Sequence, residues 1–139
     1  MKILFMCVAN SARSQLAEGL AREIFPIAEI QSAGSHPGKL NPFAVKVMDE
    51  IGIDISNHFS KEVADLNPKF LENLDYVITL CAEEVCPILP SKTAKKIHMP
   101  FHDPASKEQL SDDVMLMRFR EARDLIRARL QQLRKEISQ

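Results

Sequence analysis

The residues best suited to carry out chemistry lie close together near the start of the chain. Cys7 is followed six positions later by Arg13, and Ser14 comes next. The apolar run over 2–6 predicts a buried strand that ends at Cys7, and apolar residues at helical spacing predict a helix over 14–25. A strand, a tight loop and a helix in this order turn several backbone N–H groups and the positive end of the helix dipole toward one point. The sequence therefore predicts an anion site with a cysteine at its rim.

This setting gives each side chain a distinct chemical role. A thiolate is favoured over a thiol at a helix N-terminus, so Cys7 is the predicted nucleophile. The Arg13 guanidinium is a planar fork that suits a tetrahedral oxyanion, and the Ser14 hydroxyl is a candidate to bond to the Cys7 sulfur, to cap the helix, or to do both. A lone cysteine at a strand end is more often a small buried hydrophobe, but polar residues clustered at a strand-to-helix turn favour the functional interpretation. The residues predicted to bind the oxyanion are Val8, Ala9, Asn10, Ser11, Ala12 and Arg13.

The elements that position these residues follow from periodicity and turn signals. Further strands are predicted over 28–32, 76–80 and 95–99, and further helices over 43–51, 68–74 and 113–137. The helix over 43–51 starts after Asn41 and Pro42 and ends at Gly52. Four strands alternating with helices predict an α/β fold, a four-stranded parallel sheet with helices on both faces. The last helix is amphipathic, with apolar positions that include Met117, Phe119, Leu125, Ile126 and Leu130.

Two further candidate residues follow predicted strands. Cys81 ends the strand over 76–80 and Asp103 lies in the loop after the last strand, so both are expected at the carboxyl edge of the sheet with Cys7. Asp103 is the candidate general acid, because a carboxyl that is partly desolvated beside an anion favours its protonated form. Alternatively, Asp103 only caps the turn before Pro104. The histidines His36, His58, His98 and His102 receive no role, apart from the option that His102 tunes Asp103.

Composition bounds the class of protein. The 139 residues suit a single domain over 1–139, and 45% hydrophobic with 27% charged residues is ordinary for a soluble globular protein. The net charge of −1 gives no reason to expect nucleic acid or a membrane surface as a partner. With no signal-peptide pattern and no apolar run of membrane-spanning length, we expect a cytoplasmic protein. Three cysteines in a reducing compartment indicate reactive thiols rather than a structural disulfide framework.

No cofactor and no metal are expected. Residues 2–18 hold no glycine, which excludes a glycine-rich nucleotide loop at this strand-to-helix turn. Cys81 and Cys86 lie five positions apart and form an alternative zinc pair. Because no further cysteine follows them and His98 is the nearest imidazole in the sequence, a thiol role is favoured for both.

The stretch from Cys7 to Ser14 resembles the Cys-x5-Arg-Ser loop of low-molecular-weight tyrosine phosphatases and thioredoxin-coupled arsenate reductases. The resemblance covers nearly the whole chain. Thr79-Leu-Cys81 followed by Cys86-Pro-Ile-Leu-Pro90 is specific to the reductase branch. Other matching stretches are Ser14-Gln-Leu-Ala-Glu-Gly19, Ser32-Ala-Gly34, Asn41-Pro42, Gly52-Ile-Asp-Ile-Ser56 and Asp103-Pro-Ala105.

The resemblance implies a relay of three cysteines. Cys7 would attack arsenate held by the loop and Arg13, while Asp103 protonates the leaving hydroxyl. Cys81 would then attack the Cys7 sulfur, releasing arsenite. Cys86 would attack Cys81 and move the disulfide to Cys81–Cys86, where thioredoxin or another dithiol reductant reduces it. We expect a monomer whose small-molecule partner is arsenate or a phosphate or phosphoester oxyanion.

Three positions depart from the family pattern. The spacing between Cys81 and Cys86 is shorter than the family usually shows, which leaves a glutaredoxin-linked variant open. Ala12 stands where the family usually has a further cysteine. Some members bind potassium through an Asn, a Glu, a Ser and an Asp; Asn10, Glu18 and Ser32 match, and Lys61 stands at the Asp position. Because a lysine ammonium can replace the cation, we predict no potassium requirement.

Two other functions are compatible with parts of the sequence. A phosphatase needs only the loop and Asp103, and would act through a Cys7-phosphate intermediate. Against it, Ala105 and Ser106 follow Asp103-Pro104, where phosphatases of this shape usually place aromatic residues. A non-catalytic anion-binding module would leave Asp103, Cys81 and Cys86 unexplained. The sequence therefore favours arsenate reduction.

Overall fold

The computed structural model describes residues 1–81, 94–105 and 108–138, and in these ranges strands and helices alternate. The predicted strands and helices are all present, with ends shifted by a few residues. A 3₁₀ turn at Val63–Asp65 lies between the second and third helices. The elements are β1 (Lys2–Cys7), α1 (Arg13–Ile24), β2 (Glu29–Gly34), α2 (Pro42–Asp49), α3 (Pro68–Glu72), β3 (Tyr76–Thr79), β4 (Lys95–His98) and α4 (Asp112–Ile137).

The four described strands form one parallel sheet in the order β2-β1-β3-β4. Met6 of β1 pairs with Ala33 of β2 on one side and with Thr79 of β3 on the other. Since all pairings are parallel, the carboxyl ends of the strands lie at one edge, and β1 delivers Cys7 to the middle of that edge. The predicted fold class is confirmed.

Alternation along β1 separates the core into two layers. Ile3 and Phe5 belong to the layer under α1, α2 and α4, whereas Leu4 and Met6 belong to the layer under α3. A period of two residues is what a strand covered on both faces requires. Helices therefore cover both faces of the sheet, as predicted.

Helix α4 corrects two expectations about apolar positions. Phe119, Ile126 and Leu130 are fully buried, but Met117 and Leu125 are 66% and 54% exposed. At 100° per residue, Met117 lies about 160° round the helix from Phe119, and Leu125 about 120° from it. The face toward the core is instead completed by Met115, Ala122 and Leu133.

Local signals set both ends of α2. The Asn41 side chain accepts a hydrogen bond from the Phe43 N–H at 2.9 Å, and Pro42 is the first helical residue. Gly52 has a φ of +80°, the left-handed conformation that ends helices. None of the described helices is both long enough and apolar enough to span a membrane.

Candidate active site

The loop between β1 and α1 is held by its carbonyl groups. The carbonyl oxygens of Val8, Ala9 and Ser11 accept hydrogen bonds of 2.9 to 3.0 Å from backbone N–H groups in the segment 36–41. In a trans peptide the N–H points away from the carbonyl of the same unit, so the N–H groups that follow are turned to the other side of the loop. The Asn10 N–H accordingly donates to the Cys7 sulfur at 3.2 Å. The loop thus places a backbone N–H donor on the thiol.

Gly34, at the end of β2, allows the loop to approach the sheet. A Cβ added at this position would lie 2.4 Å from the Val8 carbonyl oxygen and 3.0 Å from the Asn10 nitrogen. Both are backbone atoms, which cannot move without displacing the loop. The close approach, rather than an unusual φ, requires glycine here.

Cys7 receives a second donor through a fixed chain of hydrogen bonds. The Lys61 backbone N–H donates to Asn10 Oδ1 at 3.0 Å, which orients the Asn10 amide. Asn10 Nδ2 then donates to Ser14 Oγ at 2.7 Å, and Ser14 Oγ lies 2.9 Å from Cys7 Sγ, where its hydroxyl can donate to a thiolate. Helix α1 has no side-chain cap, so the capping interpretation of Ser14 is wrong and its contact with sulfur is confirmed. Hydrogen bonds to sulfur favour the thiolate.

Arg13 and Asp103 meet beside the loop. Arg13, whose side chain is 5% exposed, donates from Nη1 to the Phe101 carbonyl at 3.0 Å, and its Nη2 lies 3.8 Å from Asp103 Oδ2. Asp103 Oδ1 accepts from the Ala105 N–H at 3.0 Å, so the aspartate also forms the turn around Pro104. Its side chain is 45% exposed, so the carboxyl is partly shielded from solvent. The two side chains are brought together as their positions after parallel strands predict.

Cys81 lies at the end of the neighbouring strand. The Leu80 N–H donates to the Met6 carbonyl at 3.0 Å, so the chain entering Cys81 runs beside the chain entering Cys7. Cys7 and Cys81 are 3% and 1% exposed. Cys81 forms a disulfide, and Cys7 is a free thiol, so the two sulfurs are not bonded to each other. Cys86, the third predicted cysteine of the site, lies outside the described residues.

A buried acidic group lies on the α1 side of the loop. Glu18 Oε1 accepts from the Ser32 hydroxyl at 2.7 Å and lies 3.6 Å from Lys61 Nζ. Glu18 Oε2 lies 3.1 Å from Arg22 Nη2 and 3.4 Å from His58 Nδ1. We call Glu18, Arg22, Ser32, His58 and Lys61 the Glu18 cluster.

The Glu18 cluster does not fit a bound potassium ion. The Lys61 ammonium already lies against the carboxylate, and it also stands 5.2 Å from the centre of the Phe59 ring. A cation placed beside Glu18 would have to displace this ammonium or be repelled by it. Within residues 1–81, 94–105 and 108–138, no group of three His, Cys, Asp or Glu side chains is placed to hold a metal ion.

Two residues that contact each other near the site were given no role from the sequence. Gln15 is fully buried in α1, and His58 bonds to it from 43 positions away. A polar residue directly after the Arg-Ser pair is the only sequence signal for Gln15, and no local pattern marks His58 as its partner.

The fold and the site together define a class of protein. A parallel α/β sheet whose central strand ends in a thiol, inside a loop of N–H donors and beside an arginine and an aspartate, is an arrangement for nucleophilic attack on a tetrahedral oxyanion. A family model described as low molecular weight phosphotyrosine protein phosphatase matches residues 2–139. The chain belongs to this family.

The curated relatives of this chain are named more specifically than the family. It is 40% identical over 131 residues to the arsenate reductase of Shouchella clausii, a match covering 92% of this chain and 91% of that protein. It is 41% identical over 138 residues to arsenate reductase 1 of Staphylococcus haemolyticus, covering 97% and 96%. Among solved structures, an arsenate reductase in the phosphate binding state superposes with a TM-score of 0.73 at 30% identity and covers 99% of both chains.

Proposed function

We propose that this protein reduces arsenate to arsenite through Cys7, Cys81 and Cys86. The observation that carries the proposal is the pair of sulfurs at adjacent strand ends. Cys7 is a free thiol among hydrogen-bond donors, and Cys81, one strand away, is engaged in a disulfide. The relatives named arsenate reductase support the choice of oxyanion.

The first step is attack of the Cys7 thiolate on arsenic(V). A Cys7 S–As bond forms and one As–O bond breaks, and the leaving oxygen departs as water once it is protonated. Asp103 supplies that proton, and Arg13, 3.8 Å from it, neutralises the remaining oxygens together with the N–H groups of residues 8–13. The bound anion covers the half-exposed carboxyl further and so adds to its desolvation.

The second step is the reduction itself. The Cys81 thiolate attacks Cys7 Sγ, the S–As bond breaks, and its electron pair stays on arsenic, which leaves as arsenite. Two thiols are oxidised to a Cys7–Cys81 disulfide and arsenic gains two electrons. The adjacent ends of β1 and β3 support this exchange, because a thiolate must approach the sulfur it attacks.

The third step frees the nucleophile. Cys86 attacks Cys81, a Cys81–Cys86 disulfide forms, and Cys7 is released as a thiol. A free Cys7 together with a disulfide on Cys81 is the state that this exchange leaves. Thioredoxin, or another dithiol protein such as glutaredoxin, then reduces the disulfide, as the reducing cytoplasm allows.

A phosphatase is the second candidate, because the family description and the Cys7 loop with Asp103 suit it. Cys7 would then take a phosphoryl group, Asp103 would protonate the leaving alcohol, and water would cleave the intermediate. Neither later cysteine takes part, so Cys81 and Cys86 separate the two functions.

The deciding experiment couples arsenate turnover to NADPH oxidation through thioredoxin and thioredoxin reductase. The wild type should oxidise NADPH only when arsenate is added, and Cys81→Ser and Cys86→Ser should each lose multiple turnovers. Cys7→Ser is the negative control. The proposal fails if both resolving-cysteine variants match the wild type, or if arsenate gives no turnover while an aryl phosphate is hydrolysed well.

A further inference from the structure

A buried amide that the relay does not use lies directly beneath the nucleophile loop. Gln15 is fully buried. Its Nε2 group lies 3.1 Å from the Asn10 carbonyl, 3.2 Å from Asn10 Oδ1 and 3.1 Å from the Phe59 carbonyl. All three atoms are acceptors, so they fix which end of the amide is the nitrogen. Gln15 thus joins the loop to the segment 58–61.

His58 meets the other end of the same amide. Its Nδ1 lies 3.0 Å from Gln15 Oε1, and since Oε1 can only accept, Nδ1 carries the hydrogen. Burial lowers the pKa of His58, while the nearby Glu18 and Asp54 carboxylates oppose that shift and Arg22 and Lys61 reinforce it. Nδ1 carries a hydrogen in this neutral tautomer and also in the protonated ring, so the bond to Gln15 does not depend on the charge of His58.

Asn10 is the residue that these contacts restrain. It has a φ of +50°, a left-handed conformation that a residue with a side chain keeps only when its surroundings hold it. Its carbonyl accepts from Gln15 and, at 2.7 Å, from the Ser60 hydroxyl. Asn10 in turn donates from its backbone N–H to Cys7 and from Nδ2 to Ser14. The orientation of Asn10 therefore decides both hydrogen bonds that reach the sulfur.

We propose that Gln15 is a positioning residue for Cys7, and that His58 holds the Gln15 amide in the orientation this requires. Gln15 acts through Asn10 and touches neither the sulfur nor the oxyanion. The inference rests on the proposed role of Cys7 as nucleophile, but it concerns the stability of the thiolate and not the identity of the oxyanion.

The test measures Cys7 alone. In the Cys81→Ser/Cys86→Ser background Cys7 is the remaining cysteine, and its alkylation by iodoacetamide is followed from about pH 5 to pH 9. Gln15→Met keeps the length of the side chain but removes its hydrogen bonds. We expect the pH of half-maximal rate to rise by about one unit, which lowers the rate on the acid side about tenfold and leaves the alkaline plateau unchanged.

Variants of His58 provide a rescue experiment, whose positive result would not be expected if His58 had a purely structural role. His58→Leu should raise the midpoint in the same direction, whereas His58→Asn, whose amide nitrogen can stand near the position of Nδ1, should restore it. The control is Asn73→Leu, which removes an exposed amide that donates to the Lys69 carbonyl, and its midpoint should equal that of the parent.

Two outcomes overturn the inference. One is a folded Gln15→Met protein whose midpoint equals that of the parent, or is matched by Asn73→Leu. The other is an identical profile for His58→Leu and His58→Asn, which also decides the matter if Gln15→Met does not fold. Because no arsenate is used, either result is independent of whether the protein reduces arsenate.

Discussion

Lys61 should act as a built-in cation for Glu18. Its Nζ lies 3.6 Å from Glu18 Oε1, and the two side chains are 8% and 3% exposed. Lys61→Met removes the charge while retaining much of the apolar stem of the side chain. The carboxylate then stays buried with less compensation, which is the unfavourable situation for a broken ion pair.

The size of the effect depends on the contacts that Glu18 retains in the Lys61→Met variant. Removing one partner of a buried pair costs roughly 3–5 kcal/mol. Glu18 retains the Ser32 hydroxyl at 2.7 Å and the half-exposed Arg22 at 3.1 Å, which places the loss near the lower end of that range. We expect the free energy of unfolding to fall by about 3 kcal/mol, and Tm by roughly 10 °C for a chain of this length.

Thermal unfolding and turnover in potassium and in sodium chloride at equal ionic strength check this prediction. The wild type should behave identically in both salts, whereas Lys61→Asp, which places a carboxylate where the ammonium was, should be stabilised by potassium more than by sodium. Lys69→Met is the matched control and should shift the free energy of unfolding by less than about 0.5 kcal/mol, because Lys69 is exposed. Strong stimulation of the wild type by potassium but not sodium, or equal stabilities of Lys61→Met and Lys69→Met, would refute the reasoning.

Three further predictions concern the surroundings of Cys7. Ser14→Ala removes a hydrogen bond to a charged acceptor worth about 1.5–3 kcal/mol, so the midpoint of Cys7 alkylation should rise by about one to two pH units. The control is Ser32→Ala, which removes an equally buried serine that donates to Glu18 and should leave that midpoint unchanged. Equal shifts in the two variants would contradict the assignment. Gly34→Ala should displace the loop because its Cβ would meet the Val8 carbonyl at 2.4 Å, and a variant with wild-type alkylation and turnover would show that the loop adapts freely. Because the pKa of His58 is lowered in the folded protein, the unfolded chain binds the proton more readily, and the free energy of unfolding should fall as pH drops below about 6.5. In a pH series of unfolding curves, His58→Asn should flatten that dependence. An unchanged slope would exclude His58 as its source.

Sequence reasoning succeeded where the determining contacts are local. Cys7, Arg13 and Ser14 belong to one strand, loop and helix, whose periodicity is visible in a short stretch. Asp103 was expected at the same edge of the sheet as Cys7, because carboxyl ends of parallel strands share an edge, and its contact with Arg13 agrees with that expectation. The helix signals at Asn41 and Gly52 were equally local, and both are confirmed.

The remaining features depend on contacts that no local pattern encodes. The contact of Ser14 with the sulfur is held by the Asn10 amide, which is oriented by the backbone N–H of Lys61, 51 positions further along the chain. On α4, the apolar character of Met117 and Leu125 suggested burial, but their phase on the helix relative to Phe119 places both on the exposed side. The exchange through Cys86 and the single-domain organisation stay predictions.

The most direct test of the central claim is the product balance of a single turnover without reductant. The fully reduced protein, with its three thiols, is mixed with excess arsenate, and arsenite and free thiols are counted per chain. The proposed relay predicts one arsenite released and two thiols lost, with the new disulfide mapped by mass spectrometry to Cys81–Cys86 and Cys7 recovered as a thiol. Three thiols retained with no arsenite formed, in a protein that hydrolyses an aryl phosphate, would contradict it.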